Sequence, residues 1–151
     1  MTVENNNDQQ QAPKQYLGLE NLNKLVGNWK VSGSNIEGLV TFEWLEGGFF
    51  LMQHFNLVHN GHKIKGIEII GYERRFGSES PSENIKSRAY DNVGNTFDYT
   101  YEVDDEFLTI WGGEKGSPAF YKGKWSKDGN SNSGAWVYPG GGYDSTMTRV
   151  E

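Results

Sequence analysis

Glu68 is the residue of this chain best placed to do chemistry. It stands in Gly66-Ile67-Glu68-Ile69-Ile70, an apolar run that offers a carboxylate little solvation. An ionised carboxylate withdrawn from water is costly unless it is paired or well hydrogen-bonded. Such a group can anchor the polar end of a ligand, act as a general acid or base with a burial-raised pKa, or belong to a structural network. Gln53, within Leu51-Met52-Gln53-His54-Phe55, is a candidate donor to it. The three histidines are His54, His59 and His62, and the last two flank Asn60-Gly61. There they read as a solvated turn pair rather than a metal site, and no metal is expected. The chain has no cysteine, which excludes a thiol nucleophile, a disulfide framework and a zinc-thiolate centre. No catalytic motif names a reaction.

The elements that must position Glu68 follow from turn signals. Near-regular turns separate segments in which apolar and polar residues alternate, the period of a half-buried strand. Asn60-Gly61 has the composition of a two-residue type I′ hairpin loop. Counting outward from it pairs Leu57 with Ile64, Phe55 with Gly66, Gln53 with Glu68, Leu51 with Ile70 and Phe49 with Tyr72. Those residues share one face, apolar except for Gln53 and Glu68, and it is assigned to the interior. Two-residue turns at Glu46-Gly47 and Asn35-Ile36 extend this inside to Phe42 and Trp44 and to Trp29 and Val31. In the second half, a loop at Asn92-Val93-Gly94 pairs Ser87 with Tyr99, Ala89 with Phe97 and, outside, Arg88 with Asp98. A turn at Asp104-Asp105 pairs Tyr101 with Leu108. Asp128-Gly129 pairs Tyr121 with Trp136 and Trp125 with Asn132, and the last strand turns Met147 and Arg149 inward. A short helix is predicted over 17–26, where Leu19, Leu22, Leu25 and Val26 form one apolar face. About ten antiparallel strands in sequence close most readily on themselves, since closure removes exposed edges. The expected fold is all-β: one closed up-and-down barrel with a short N-terminal helix, spanning 17–151 behind a disordered polar tail over 1–16. The connections at 73–83 and 112–118 are the candidate mouth or lid loops.

Within that frame Glu68 is the only acidic side chain on the inner face. The predicted ligand-binding set is Glu68 and Gln53 with the aromatic wall Phe42, Trp44, Phe55, Tyr99, Tyr101, Tyr121 and Trp136. Small inward residues at Gly66, Ser87, Ala89 and Gly123 imply vacant space beside Glu68. Arg149 is a possible ion-pair partner if the barrel is narrow. On the outer face, Met52, Ile67, Ile69, Phe107, Trp111, Phe120 and Val137 form an apolar patch that either the N-terminal segment covers in part or a homodimer buries.

Bulk composition bounds the function classes. A formal net charge of -6 with no basic stripe excludes a nucleic-acid phosphate reader. No apolar stretch is long enough for a membrane helix, and the polar start is not a signal peptide, so a cytoplasmic location is expected. Aromatic residues make up 14% of the chain, so few, large side chains must build the interior.

Gly27-Asn28-Trp29 on the first strand after a short helix, with Arg149 on the last, resembles the calycin superfamily: lipocalins, fatty-acid-binding proteins and nitrobindins. The resemblance implies that Trp29 closes one barrel end and that Arg149 packs across it. Ten strands without an obvious C-terminal helix look more like fatty-acid-binding proteins or nitrobindins than eight-stranded lipocalins. The segment from Leu17 to Val150 also looks like a bacterial lipocalin-like domain family of unknown function, on Phe42-Glu43-Trp44, Gly66-Ile67-Glu68 and the Tyr143 to Val150 ending. Nitrobindin-like haem binding needs an axial histidine on a later strand. No histidine follows His62, so haem is not supported and no cofactor is expected. The leading reading is binding of a small apolar or aromatic molecule oriented by Glu68 and Gln53. An isomerase- or cyclase-type enzyme using Glu68 as acid and base, and a non-catalytic dimeric interaction protein, stand beside it.

Overall fold

The computed structural model describes residues 16–151. The tail expectation therefore lies outside the described residues except at Tyr16. That side chain is buried and packs edge-on against Phe49 and Tyr72, with ring centroids 5.3 and 5.5 Å away.

Ten strands follow one another in the order β1 (Gly27–Ser32), β2 (Ile36–Trp44), β3 (Phe50–His59), β4 (His62–Tyr72), β5 (Ile85–Asp91), β6 (Thr96–Val103), β7 (Phe107–Gly112), β8 (Phe120–Trp125), β9 (Ser131–Tyr138) and β10 (Gly141–Val150). Each pairs antiparallel with its neighbour in sequence, and β1 pairs with β10, so the sheet closes as a barrel without edges. The β3–β4 ladder runs as Asn60-Gly61 predicts, with His59 opposite His62 and Gln53 opposite Glu68. Both turn residues have positive φ, 52° and 82°, as a type I′ loop requires. The β5–β6 and β8–β9 registers also match, including Arg88 opposite Asp98 and Tyr121 opposite Trp136.

Three other turns are centred one residue away from their expected places. Gly33 to Ile36 holds the β1–β2 turn, so Trp29 faces Val40 rather than Phe42. A four-residue loop at 46–49, closed by Leu45 N–H donating to Phe50 O, places Phe42 opposite Gln53 and Trp44 opposite Leu51. Gly47 and Gly48 both take positive φ there, a conformation glycine adopts without steric cost. Asp104 caps the β6–β7 turn by accepting bonds from Glu106 N–H and Phe107 N–H, so Tyr101 faces Ile110. Moving a turn centre by one residue shifts the pairing by two, which preserves the alternation. The set of inward residues is therefore unchanged. Phe49 is the exception: it falls in the loop, outside the ladder with Tyr72, and is exposed.

The short helix expected over 17–26 is present as a 3-10 helix over Leu19–Leu25. Leu19, Leu22 and Leu25 recur every third residue, which matches three residues per turn. All three are buried. They plug the end of the barrel where β1 begins, each contributing about 2 kcal/mol of apolar burial. Trp29, fully buried, stands over this plug and donates from Nε1 to Leu25 O at 2.7 Å. The Arg149 guanidinium lies 4.2 Å from the Trp29 ring centroid and donates to Val26 O at 2.6 Å, Lys24 O at 3.2 Å and Asn130 Oδ1 at 3.1 Å. This fork ties the helix's C-terminal carbonyls to the last strand. A lysine cannot reproduce three directed bonds and a stacked plane. Arg149→Lys is expected to lower stability by about 2 kcal/mol in urea denaturation, because charged-group hydrogen bonds of this kind are each worth about 1.5–3 kcal/mol and only part is recovered.

Candidate functional site

Alternating chain direction sorts the loops between the two barrel ends. The connections after odd-numbered strands lie at the end opposite the helix, and those after even-numbered strands lie at the plugged end. Of the two expected mouth loops, 113–119 is at the open end. The 73–84 connection joins β4 to β5 and so belongs to the closed end. Strand parity, not loop length, decides this.

Between the plug and the open end lies a cavity of about 810 Å³. Its floor is formed by Leu25, Phe42, Tyr101 and Leu108, and its rim by His62, Lys63, Val93, Asn95 and Tyr138. Eight of the nine predicted binding residues line it: Phe42, Gln53, Phe55, Glu68, Tyr99, Tyr101, Tyr121 and Trp136. Trp44 does not. It sits at the closed end, where its Nε1 donates to Asn23 Oδ1 of the helix at 2.7 Å. Trp136 packs between Tyr99 and Tyr121, with centroids at 5.9 and 5.7 Å, and makes a continuous aromatic wall. Two of the small inward residues are occupied by neighbours rather than vacant. A Cβ at Gly66 would meet the Phe55 ring, and one at Gly123 would meet the Tyr121 hydroxyl and Asn132. Ala89 does border the space.

Glu68 is buried at 5% exposure in the cavity wall. Its Oε1 accepts from Gln53 Nε2 at 2.6 Å, and its Oε2 accepts from Ser87 Oγ at 2.5 Å and Tyr101 OH at 2.8 Å. Gln53 and Ser87 come from the strands that flank β4, β3 and β5, and Tyr101 from β6, the next strand beyond β5. Burial raises the carboxyl's pKa above its ordinary value of 4.5, and the hydrogen bonds from Ser87, Tyr101 and Gln53 oppose that only in part. Burial, and next the Glu68 charge, likewise push the Tyr99 and Tyr101 hydroxyls up. Arg149 does not pair with Glu68, being bound to the helix carbonyls at the closed end. Lys63, exposed on the rim, is the only Lys or Arg side chain among the described residues lining the cavity.

Several participants were not singled out from sequence. Tyr143 lines the cavity and packs tilted against His59, with centroids 4.4 Å apart, and burial followed by Tyr138 pushes its pKa up to about 12. His59 is thus not a solvated turn residue; its Nε2 is buried and has no hydrogen-bond partner among the described residues. His62 is exposed beside it, with Nδ1 at 3.1 Å from Asn60 O. Alternation back from Arg149 and Met147 already put Tyr143 inside. Fully buried Asn132 accepts from Tyr121 OH at 2.7 Å and donates to Gly123 O at 3.1 Å. Ser87, read as a small residue leaving space, is a Glu68 donor.

The outer apolar residues do not form one patch. Met52, Ile67 and Ile69 lie on β3 and β4, and Phe107, Trp111, Phe120 and Val137 on β7 to β9. Between them run the outer residues of β5 and β6, including Lys86, Arg88, Asp98 and Glu102. Arg88 and Asp98 pair at 2.7 Å, and the Lys122 ammonium lies 4.4 Å from the Phe107 ring centroid. His54 is exposed on the outside, as expected. Among the described residues no cluster of three or more metal-ligating side chains occurs, and no helix is long and apolar enough to cross a membrane. No protein-family model and no curated protein matches this chain.

Glu68 leaves a pH signature. Above pH 4.5 and below its raised pKa, the folded protein holds a proton that the unfolded chain has released. The stability it contributes is complete below the ordinary value and is lost as pH rises through the raised one. Asp91, Asp104, Asp128 and Asp144, held low by hydrogen bonds, run the other way and cancel in a comparison with Glu68→Gln. The stability of wild type minus that of Glu68→Gln is expected to fall as pH rises from about 4. Urea denaturation of both proteins across pH checks this, and a flat or rising difference contradicts it.

Proposed function

We propose that this chain binds a small, largely apolar or aromatic molecule inside the barrel, with Glu68 and Gln53 orienting its polar group. The observation that carries this reading is the unfilled interior: about 810 Å³ of aromatic-walled space around a single buried carboxyl. Apolar walls with a few fixed polar groups are the usual composition of a small-molecule site. The plugged end and the rim side chains make a pocket with one way in.

Diphenylhexatriene, a neutral fluorophore that emits in apolar surroundings, tests this directly. Fluorescence is expected to rise to saturation at one probe per chain. Ala89→Phe, which projects a ring into the cavity beside Glu68, is expected to weaken binding by about ten-fold or more while circular dichroism stays that of the barrel. Probe binding indifferent to Ala89→Phe would place it on the outer surface and sink the proposal.

A further inference from the structure

The polar chemistry of the cavity narrows the ligand class, an inference that rests on the binding reading above. A carboxylate offers about four acceptor positions, two on each oxygen. Glu68 uses three of them, two on Oε2 and one on Oε1. Its partners Gln53, Ser87 and Tyr101 are neutral, and none of the ion pairs among the described residues includes Glu68. The site therefore lacks a counter-charge and retains an acceptor position on Oε1.

The rest of the wall makes the same demand. Tyr99, Tyr121 and Trp136 line the cavity as one aromatic cluster, and the quadrupole of such rings attracts a cation, most strongly where water is excluded. An anionic head group would find no cation at depth, only the Glu68 carboxyl and neutral hydroxyls, of which those of Tyr101 and Tyr121 are already committed to Glu68 and Asn132. Lys63 and His62 are out at the rim. A fatty-acid carboxylate placed near Glu68 would bring a second carboxyl group into a low-dielectric interior that holds no cation.

We propose that the ligand is a lipophilic amine, bound as its ammonium, with one N–H donated to Glu68 Oε1, the charge set against Tyr99 and Trp136, and the apolar body directed toward the mouth. The ligand supplies the cation that the fold withholds from Glu68.

A matched series on one skeleton tests this at neutral pH by isothermal titration calorimetry: phenylbutylammonium, phenylbutanol and phenylbutanoate. In the wild type the ammonium is expected to bind about ten-fold tighter than the alcohol, with the carboxylate weakest, which corresponds to about 1.4 kcal/mol between the first two. In Glu68→Gln the ammonium is expected to lose its advantage over the alcohol, and saturable binding of the alcohol reports that the variant folds. If that variant does not fold, the wild-type ranking alone decides. Alcohol or carboxylate binding as tightly as the ammonium overturns the amine assignment and leaves the cavity reading standing. Failure of all three ligands, together with diphenylhexatriene, overturns both.

Discussion

Closing ten strands sets the problem that the rest of this molecule solves. Barrel diameter grows with strand number, and about eight strands already bring the interior to the width that side chains fill or one small ligand occupies. Ten strands exceed that. Even aromatic residues leave about 810 Å³ unfilled here. The chain spends its largest apolar groups on one end, where Leu19, Leu22, Leu25 and Trp29 form a plug that Arg149 fastens to β10. Space is left at the other end.

The second constraint is the carboxyl in that space. Burial raises its free energy when charged, and Gln53, Ser87 and Tyr101 offset the cost with short bonds from β3, β5 and β6. A fold selecting only for stability would place a hydrocarbon at such a position, because apolar replacement of a buried ionic group is often neutral or favourable. Here three donors are arranged to hold one carboxyl in a fixed orientation in the wall of a cavity that also carries Tyr99 and Trp136 and has no cation at depth. That combination is organised toward something absent from the chain itself.

Most of the fold was legible because parity is robust. Turn centres misplaced by one residue at 34–35, 46–49 and 105–106 altered partners but not faces, so Phe42, Phe55, Tyr99, Tyr121 and Trp136 were correctly inward. Glu68 and Gln53 were legible as a pair because Asn60-Gly61 pins that hairpin. What parity does not carry is height along the barrel. Trp44 points inward yet lies beside Asn23 at the plug, and Arg149 likewise belongs to the closed end rather than to Glu68. Nor does it show which inward gaps are filled: Gly66 makes room for Phe55, and Gly123 for Tyr121 with Asn132. The outer apolar residues looked continuous in sequence only because the charged faces of β5 and β6 between them were not counted in.

The central claim is that the cavity is a site for a cationic apolar molecule. Native mass spectrometry of the protein purified from its own host tests it most directly. The account predicts one small molecule per chain, released by organic extraction and recovered as a basic compound. Recovery of a carboxylic acid from the same cavity, or a ligand-free protein whose crystal structure shows the interior collapsed, would contradict it.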